Sequence, residues 1–182
     1  MMILAGIDYS MTSPAICIYD SSKPLTFENL FFYNRNDIKK VQGVKGNVHI
    51  EPHEAWDKIP ELRYRQIAAW AVDKLVKHKV DLVSLEGYSM GSSSGLVFNI
   101  AENTSVLKQM MFDKGLKFVS NSPSSVKKNF QGKGNAKKDQ MCEEFYKRLG
   151  VKPFEIFGGK QYDAPENDLV DSFANMLMGM GL

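Results

Sequence analysis

Short apolar runs parted by turn residues open the chain. Residues 2–8 (MILAGID), 14–19 (PAICIY) and 26–33 (TFENLFFY) have the length and the β-branched or aromatic content of strands. SMTSP and SSKP between them supply the Ser and Pro of turns, so the pattern predicts a meander of three antiparallel strands. Residues 34–60 mix charges with Gly and Pro and sustain no period, which predicts a long loop or small insertion. From 61 to 79, Leu62, Ile67, Ala68, Ala71, Val72 and Leu75 mark one face of an amphipathic helix. The nearly continuous apolar run 80–86 then predicts a strand buried on both faces. A helical pattern over 95–114 stops at Gly115, and LKFVS after it predicts another strand. Ser122 with Pro123 opens a short helix, Asn135 caps a second that ends near Leu149, and a last helix starts near Pro165.

A meander followed by strands that alternate with helices makes an α/β protein with a mixed five-stranded sheet and helices on both faces. This element order is similar to that of the ribonuclease H-like fold, and it equally suits an actin-like nucleotide-binding fold. The 182 residues fit one domain with its own core, the 34–60 stretch lying within it.

Composition narrows little. A formal net charge of +2 announces no partner, so any electrostatic argument must come from local clustering. Cys17 and Cys142 lack the paired spacing of a zinc site or a disulfide framework and are expected to be reduced and buried. No apolar run approaches membrane-spanning length and the N-terminus lacks a signal pattern, so no membrane partner and a cytoplasmic setting are expected.

Chemistry enters with the acids at element ends. Asp8 closes the first strand and Glu86 closes the strand at 80–86. If these strands are parallel neighbours, both carboxylates emerge where open sheets form sites, at the carboxyl ends of the strands. Asp168 and Asp171, three apart, share a face of the last helix's first turns. Each has a bland reading, as a turn residue, a solvent-facing strand end or the acidic bias of a helix N-terminus. Gathered together they would repel one another unless a hard divalent cation neutralised them. Two Mg²⁺ or Mn²⁺ ions about 4 Å apart would then activate a water and stabilise the leaving oxygen of a phosphodiester.

With these positions in hand, the chain resembles the RuvC family of Holliday-junction resolvases over most of its length. GIDYS at Asp8 is similar to the family's first strand, SLEGYSM at Glu86 to its second acidic strand end, and DLVDSFANMLMG at Asp168 and Asp171 to its last helix. NSPSSVKKNFQGKGNAKKDQM looks like the family's Pro-x-x-Val-Lys stretch and the Gly-x-Gly-x-x-x-Lys loop and helix that follow. Tyr9 and Ser10 stand where bacterial members carry Pro-Gly, as in phage-encoded relatives, and residues 34–60 are longer than the bacterial connection. The resemblance implies a ribonuclease H-like nuclease that binds two Mg²⁺ or Mn²⁺ through Asp8, Glu86, Asp168 and Asp171. It also implies a homodimer whose two active sites nick a four-way DNA junction symmetrically. For a phage-encoded member, the cytoplasm would be that of the host.

Lys127, Lys128, Lys133, Lys137 and Lys138 crowd around two glycines in VKKNFQGKGNAKK. A lysine-rich face is often only solvated, but a Gly132-Lys133-Gly134 loop can approach a phosphate backbone closely and release counterions. Phe130 between the lysines either stacks on an unpaired base or packs in the core. The run GYSMGSSSG at 87–95 is expected to lie over the active site, with Tyr88 and Ser89 touching DNA. Leu96, Ile100, Val106, Leu107, Met110 and Met111 serve either the core or a partner subunit. GKGN lacks the Lys-Ser/Thr ending of a nucleotide loop. His49, Glu51, His53 and Glu54 have a zinc-like spacing broken by Pro52, and His78 reads as a solvated helix end. Two other functions remain open beside the resolvase: a broader nuclease acting on flaps and other branched DNA, and a protein that binds junctions without cutting them. The actin-like alternative would be a phosphotransferase that binds ATP.

Overall fold

The computed structural model describes residues 1–53, 59–87, 96–157 and 164–181. Its strands are β1 (Ile3–Asp8), β2 (Ala15–Asp20), β3 (Leu30–Asn36), β4 (Gly43–Lys45), β5 (Val48–Pro52), β6 (Leu82–Glu86) and β7 (Lys117–Asn121). Its helices are α1 (Pro60–Lys77), α2 (Leu96–Asp113), α3 (Pro123–Gln131), α4 (Lys138–Leu149), α5 (Pro153–Phe157) and α6 (Glu166–Gly179). They build one mixed sheet in the order β4-β5-β3-β2-β1-β6-β7. The expected meander is present, since β2 lies antiparallel between β1 and β3. On the other side of β1, β6 and β7 follow in parallel.

The sheet has seven strands rather than the expected five because residues 34–60 are not simply a loop. The chain extends β3 to Asn36, then makes the β4–β5 hairpin, with β5 parallel to β3. Val48 and Ile50 alternate with His49 and Glu51 over too few residues for a period of two to stand out among the flanking charges. The first part of the predicted 26–33 strand is instead a single 3₁₀ turn, Phe27–Asn29. The Asn47 side-chain amide holds that junction by donating to the Leu30 carbonyl at 2.7 Å.

Capping chemistry works at one helix and fails at another. Ser122 caps α3 as expected, its hydroxyl accepting from the Ser125 N–H at 3.2 Å. The cap of α4 is Lys137, not Asn135; its backbone N–H donates to the Gln140 side chain at 2.9 Å. On α1, Leu62 is 43 % exposed and Tyr64 replaces it in the core.

Alternation along each strand divides the core between two faces of the sheet. Leu4, Cys17, Tyr19 and Phe32 pack against Phe130, Phe145, Phe173 and Met176 of α3, α4 and α6. Ala5, Ile7, Ile16, Ile18, Val83 and Leu85 pack against α1 and against Leu107 and Met111 of α2, with Val106 and Met110 partly buried at the margin. Both cysteines are free and buried. Among the described residues, no helix is long and apolar enough to cross a membrane.

Helix α6 packs directly on β1. A Cβ built on Gly6 would lie 2.0 Å from the Met176 nitrogen and 2.1 Å from the Ser172 carbonyl oxygen, so only hydrogen fits there. Neither clash can be relieved by turning a side chain, because both atoms are backbone. Gly6→Ala is therefore expected to lower the unfolding free energy by about 3 kcal/mol or more, at the upper end of overpacking costs, as measured by urea denaturation. A variant of near wild-type stability would contradict this packing.

Candidate active site

Register brings the first two acids together. Ile7 pairs with Leu85 across the parallel β1–β6 ladder, so the next residues along, Asp8 and Glu86, end neighbouring strands on one edge of the sheet. Asp8 shares the face of Gly6, two residues earlier, and that is the face α6 covers. Asp171 immediately precedes Ser172, whose carbonyl touches Gly6, and Asp168 lies one turn before it. The four acids predicted from sequence thus meet.

Electrostatics records the meeting. Asp8 is pushed well above the usual carboxyl range, first by burial and then by the negative charges of Asp171, Asp168 and Glu86. Burial, reinforced by Asp171, raises Glu86 to about 7. Asp168 rises to about 6 through burial, partly countered by the hydrogen bond it accepts from the Ser13 hydroxyl at 2.5 Å. Burial also raises Asp171 to about 6, against the opposing charges of Lys127 and Lys138.

The lysine segment divides into two parts. Lys127 of α3 and Lys138 at the start of α4 border a cleft of about 70 Å³ with Asn167 and Asp171, floored by Met141 and Val170. Their charges oppose the proton uptake of the acids, Lys127 at Glu86 and Lys138 at Asp8 and Asp168. Lys128, Lys133 and Lys137 lie exposed on the surface around Gly132, which ends α3 with a φ of 91°. Phe130 does not belong with them. It is 1 % exposed and packs edge-on against Phe173, so it fills the core and offers no face to a base. Tyr88, Ser89 and most of the 87–95 run fall outside the described residues.

The zinc-like spacing is used structurally where it is described. His49 stacks on Tyr33, Glu51 accepts from the Trp70 indole at 2.9 Å and pairs with Lys74 at 2.7 Å, and His53 donates to the Met11 carbonyl at 2.9 Å. Glu54 lies outside the described residues. His78 is half-buried rather than solvated and bonds the Tyr33 hydroxyl at 2.8 Å. Sequence reasoning missed Ser13, and behind it Asn34, whose amide donates to the Ser13 hydroxyl at 3.1 Å. One signal was available: Asn34 and Asn36 continue the core-facing alternation of Leu30 and Phe32, so polar groups stand where apolar ones are expected.

The donor set suits a hard divalent cation, since every acid offers oxygen and each is held at a raised pKa that a cation would reverse. Among the described residues, no three metal-binding side chains are already closed into a cage.

Residues 39–152 match the family model described as crossover junction endodeoxyribonuclease RuvC. Of the four acids, Glu86 lies inside that segment and the other three outside it. The fold is similar to that of Thermus thermophilus RuvC, with a TM-score of 0.63 and 19 % identity over 99 % of this chain and 97 % of that one. T. thermophilus RuvC in complex with Holliday junction substrate gives 0.67 and 18 % identity over 97 % and 92 %. The yeast mitochondrial Holliday junction resolvase Ydc2 gives 0.58 and 14 % identity over 94 % and 75 %. No curated protein sequence matches the chain at a significant level.

The raised carboxyls make a prediction for metal-free protein. Between about pH 4 and pH 7 the folded chain still holds protons at Glu86, Asp168 and Asp171 that the unfolded chain has released. Their contribution favours the fold below pH 4 and is lost as pH rises through 6 to 7. In EDTA at pH 7.5, Asp171→Asn should therefore be more stable than wild type by on the order of 1–3 kcal/mol in thermal unfolding, an advantage that disappears at pH 4. A variant less stable than wild type at pH 7.5 would refute the buried repulsion.

Proposed function

The chain belongs to the RuvC family of crossover junction endodeoxyribonucleases and is a junction-resolving nuclease, and from that premise we propose that Asp8, Glu86, Asp168 and Asp171 form its catalytic centre. The observation that carries the assignment is the mutual field of the four carboxyls, two at the ends of β1 and β6 and two on α6, with Asp8 feeling all three others. The family uses a divalent metal. Here the four acids would hold two ions, Mg²⁺ or Mn²⁺. Once bound, such ions supply Lewis-acid activation of a water and neutralise charge building up on the scissile phosphate.

The chain's own groups prepare that chemistry. Burial removes water from the carboxylates, so each competes poorly for solvent and strongly for a cation. Lys127 and Lys138 sit at the mouth of the cleft, where they balance part of the negative charge and attract a phosphate diester toward acids that would otherwise repel it. Exposed Lys128, Lys133 and Lys137 are placed to grip the neighbouring backbone, which sets the register of the strand without reading its sequence.

Branched DNA is the substrate class, and paired nicks call for two active sites, which a two-fold homodimer supplies. On the face away from α6, Phe98 and Phe112 of α2 are 70 % and 73 % exposed. Beside them an open groove runs between Glu61, Arg65, Val106 and Met110, a suitable place for the partner subunit. A DNA substrate and two reduced cysteines fit the cytoplasm.

Asp8→Asn should bind a four-way junction with wild-type affinity yet lose more than about 100-fold in cleavage, since even outer-shell changes at metal sites cost 10–100-fold. Gel-shift and cleavage assays in Mg²⁺ check both halves, and cutting by the variant at wild-type rate would remove Asp8 from the site. A flap substrate cleaved as fast as the junction would replace the resolvase with a broader branched-DNA nuclease. Removing Lys128, Lys133 and Lys137 together should weaken binding to every branched substrate alike. It should also flatten the log K against log salt slope by roughly 0.9 for each phosphate that is no longer neutralised. An unchanged slope would mean that these lysines only solvate the surface.

A further inference from the structure

We propose that Asn34 and Asn36 are positioning residues for the catalytic centre, acting through a one-way chain of hydrogen-bond donors that ends on Asp168. The inference rests on the reading of Asp168 as a metal ligand.

The chain of donors is short and continuous. The Asn36 amide NH₂ donates to Asn34 Oδ1 at 2.5 Å, the Asn34 NH₂ donates to Ser13 Oγ at 3.1 Å, and the Ser13 hydroxyl donates to Asp168 Oδ2 at 2.5 Å. Its direction follows from the outer partners. Asn36 Oδ1 accepts from the Ile38 N–H at 2.8 Å, which fixes that amide with its NH₂ toward Asn34. The Asn34 NH₂ also reaches the Pro14 carbonyl at 3.1 Å and the Ser13 carbonyl at 3.3 Å, and carbonyls only accept. Ser13 Oγ therefore receives one proton from Asn34 and has a single proton to give, which goes to Asp168. The amide orientations follow from the network, with neither flip left open.

Burial makes the arrangement costly to disturb. Asn34 is fully buried, Asn36 is 2 % exposed and Ser13 is 8 % exposed, so a group left without its partner has no water to turn to. The turn that carries Ser13 is held from further sides as well. Met11's carbonyl accepts from His53 at 2.9 Å and from Arg63 at 3.3 Å, and the Ser13 N–H donates to Ser10 Oγ at 2.8 Å. One Asp168 oxygen is thereby committed to Ser13, and the carboxyl plane is set before any cation arrives. The β4–β5 hairpin gains a role from this. Pairing of Asn34 with Ile50 and of Asn36 with Pro52 lays β5 along the relay, and Gln42 donates to the Asn36 carbonyl at 3.2 Å.

The test uses the full chain, with Mn²⁺ binding measured by calorimetry and junction cleavage followed against Mn²⁺ concentration. Ser13→Ala removes the last donor. Asn34→Asp keeps the shape but puts an acceptor where the donor stood, drawing the Ser13 proton away from Asp168. Both are expected to weaken Mn²⁺ binding by about 10–100-fold and to raise the Mn²⁺ needed for half-maximal cleavage by the same factor. The rate at saturating Mn²⁺ and junction binding in EDTA should stay near wild type. Ser13→Thr, which retains the hydroxyl, should behave as wild type. Unchanged Mn²⁺ affinity in Ser13→Ala overturns the proposal even if Asn34→Asp does not fold. So does a Ser13→Thr variant as impaired as Ser13→Ala, which would make the effect one of packing. Asp168→Asn serves as the reference: Mn²⁺ affinity unchanged there would sink the ligand reading itself, independently of Ser13 and Asn34.

Discussion

The backbone of α6 rests directly on β1 at Gly6, and the spacing of the whole site follows from that contact. Side chains pack with tolerance, since a methylene more or less can be absorbed by a rotamer change or a small shift. Two backbones with only hydrogen between them have no such latitude. Asp8 lies two residues beyond the contact on the strand, and Asp171 is adjacent to it on the helix. The parallel ladder fixes Glu86 beside Asp8 by a second backbone constraint, main-chain hydrogen bonds in a set register. A site built this way depends little on which apolar residues fill the layers around it. A chain that keeps the fold of T. thermophilus RuvC at 18–19 % identity is consistent with that independence.

Such rigidity also imposes a strain of charge. Four carboxyls are held where burial and mutual repulsion both disfavour ionisation, and α6 cannot back away without opening the core behind Phe173 and Met176. Lys127 and Lys138 relieve part of this from α3 and the start of α4. On the proposed reading, the remainder would be relieved by a bound divalent cation. The same acids that weaken the metal-free fold at neutral pH would make it a strong ligand, the trade between stability and activity expected of a functional site.

Much of this was legible in the residues because the informative features are local. A carboxylate ending an apolar run, and two more spaced one turn apart behind Pro165, need no knowledge of distant partners. Outside residues 34–60, the order of the strands and longer helices was readable for the same reason. What escaped was long-range or too short. Ser13 meets an acid 155 positions away, and nothing in SMTSP distinguishes it from an ordinary turn serine. Asn34 and Asn36 fell inside a stretch whose charges and glycines hid a three-residue and a five-residue strand. Phe130 was ambiguous because its neighbours in sequence are lysines, whereas its neighbours in space are Phe173 and the guanidinium of Arg148.

The hairpin also changes what the sheet presents to its surroundings. Without it the margin beyond β2 would be β3, a seven-residue strand carrying Phe31 and Phe32 and open to addition of a foreign strand. With it, the outermost ribbon is three residues long, begins at a glycine and ends at Lys45, a poor template for runaway pairing. The hairpin thus closes that flank of the sheet to strand addition at the cost of only three edge residues.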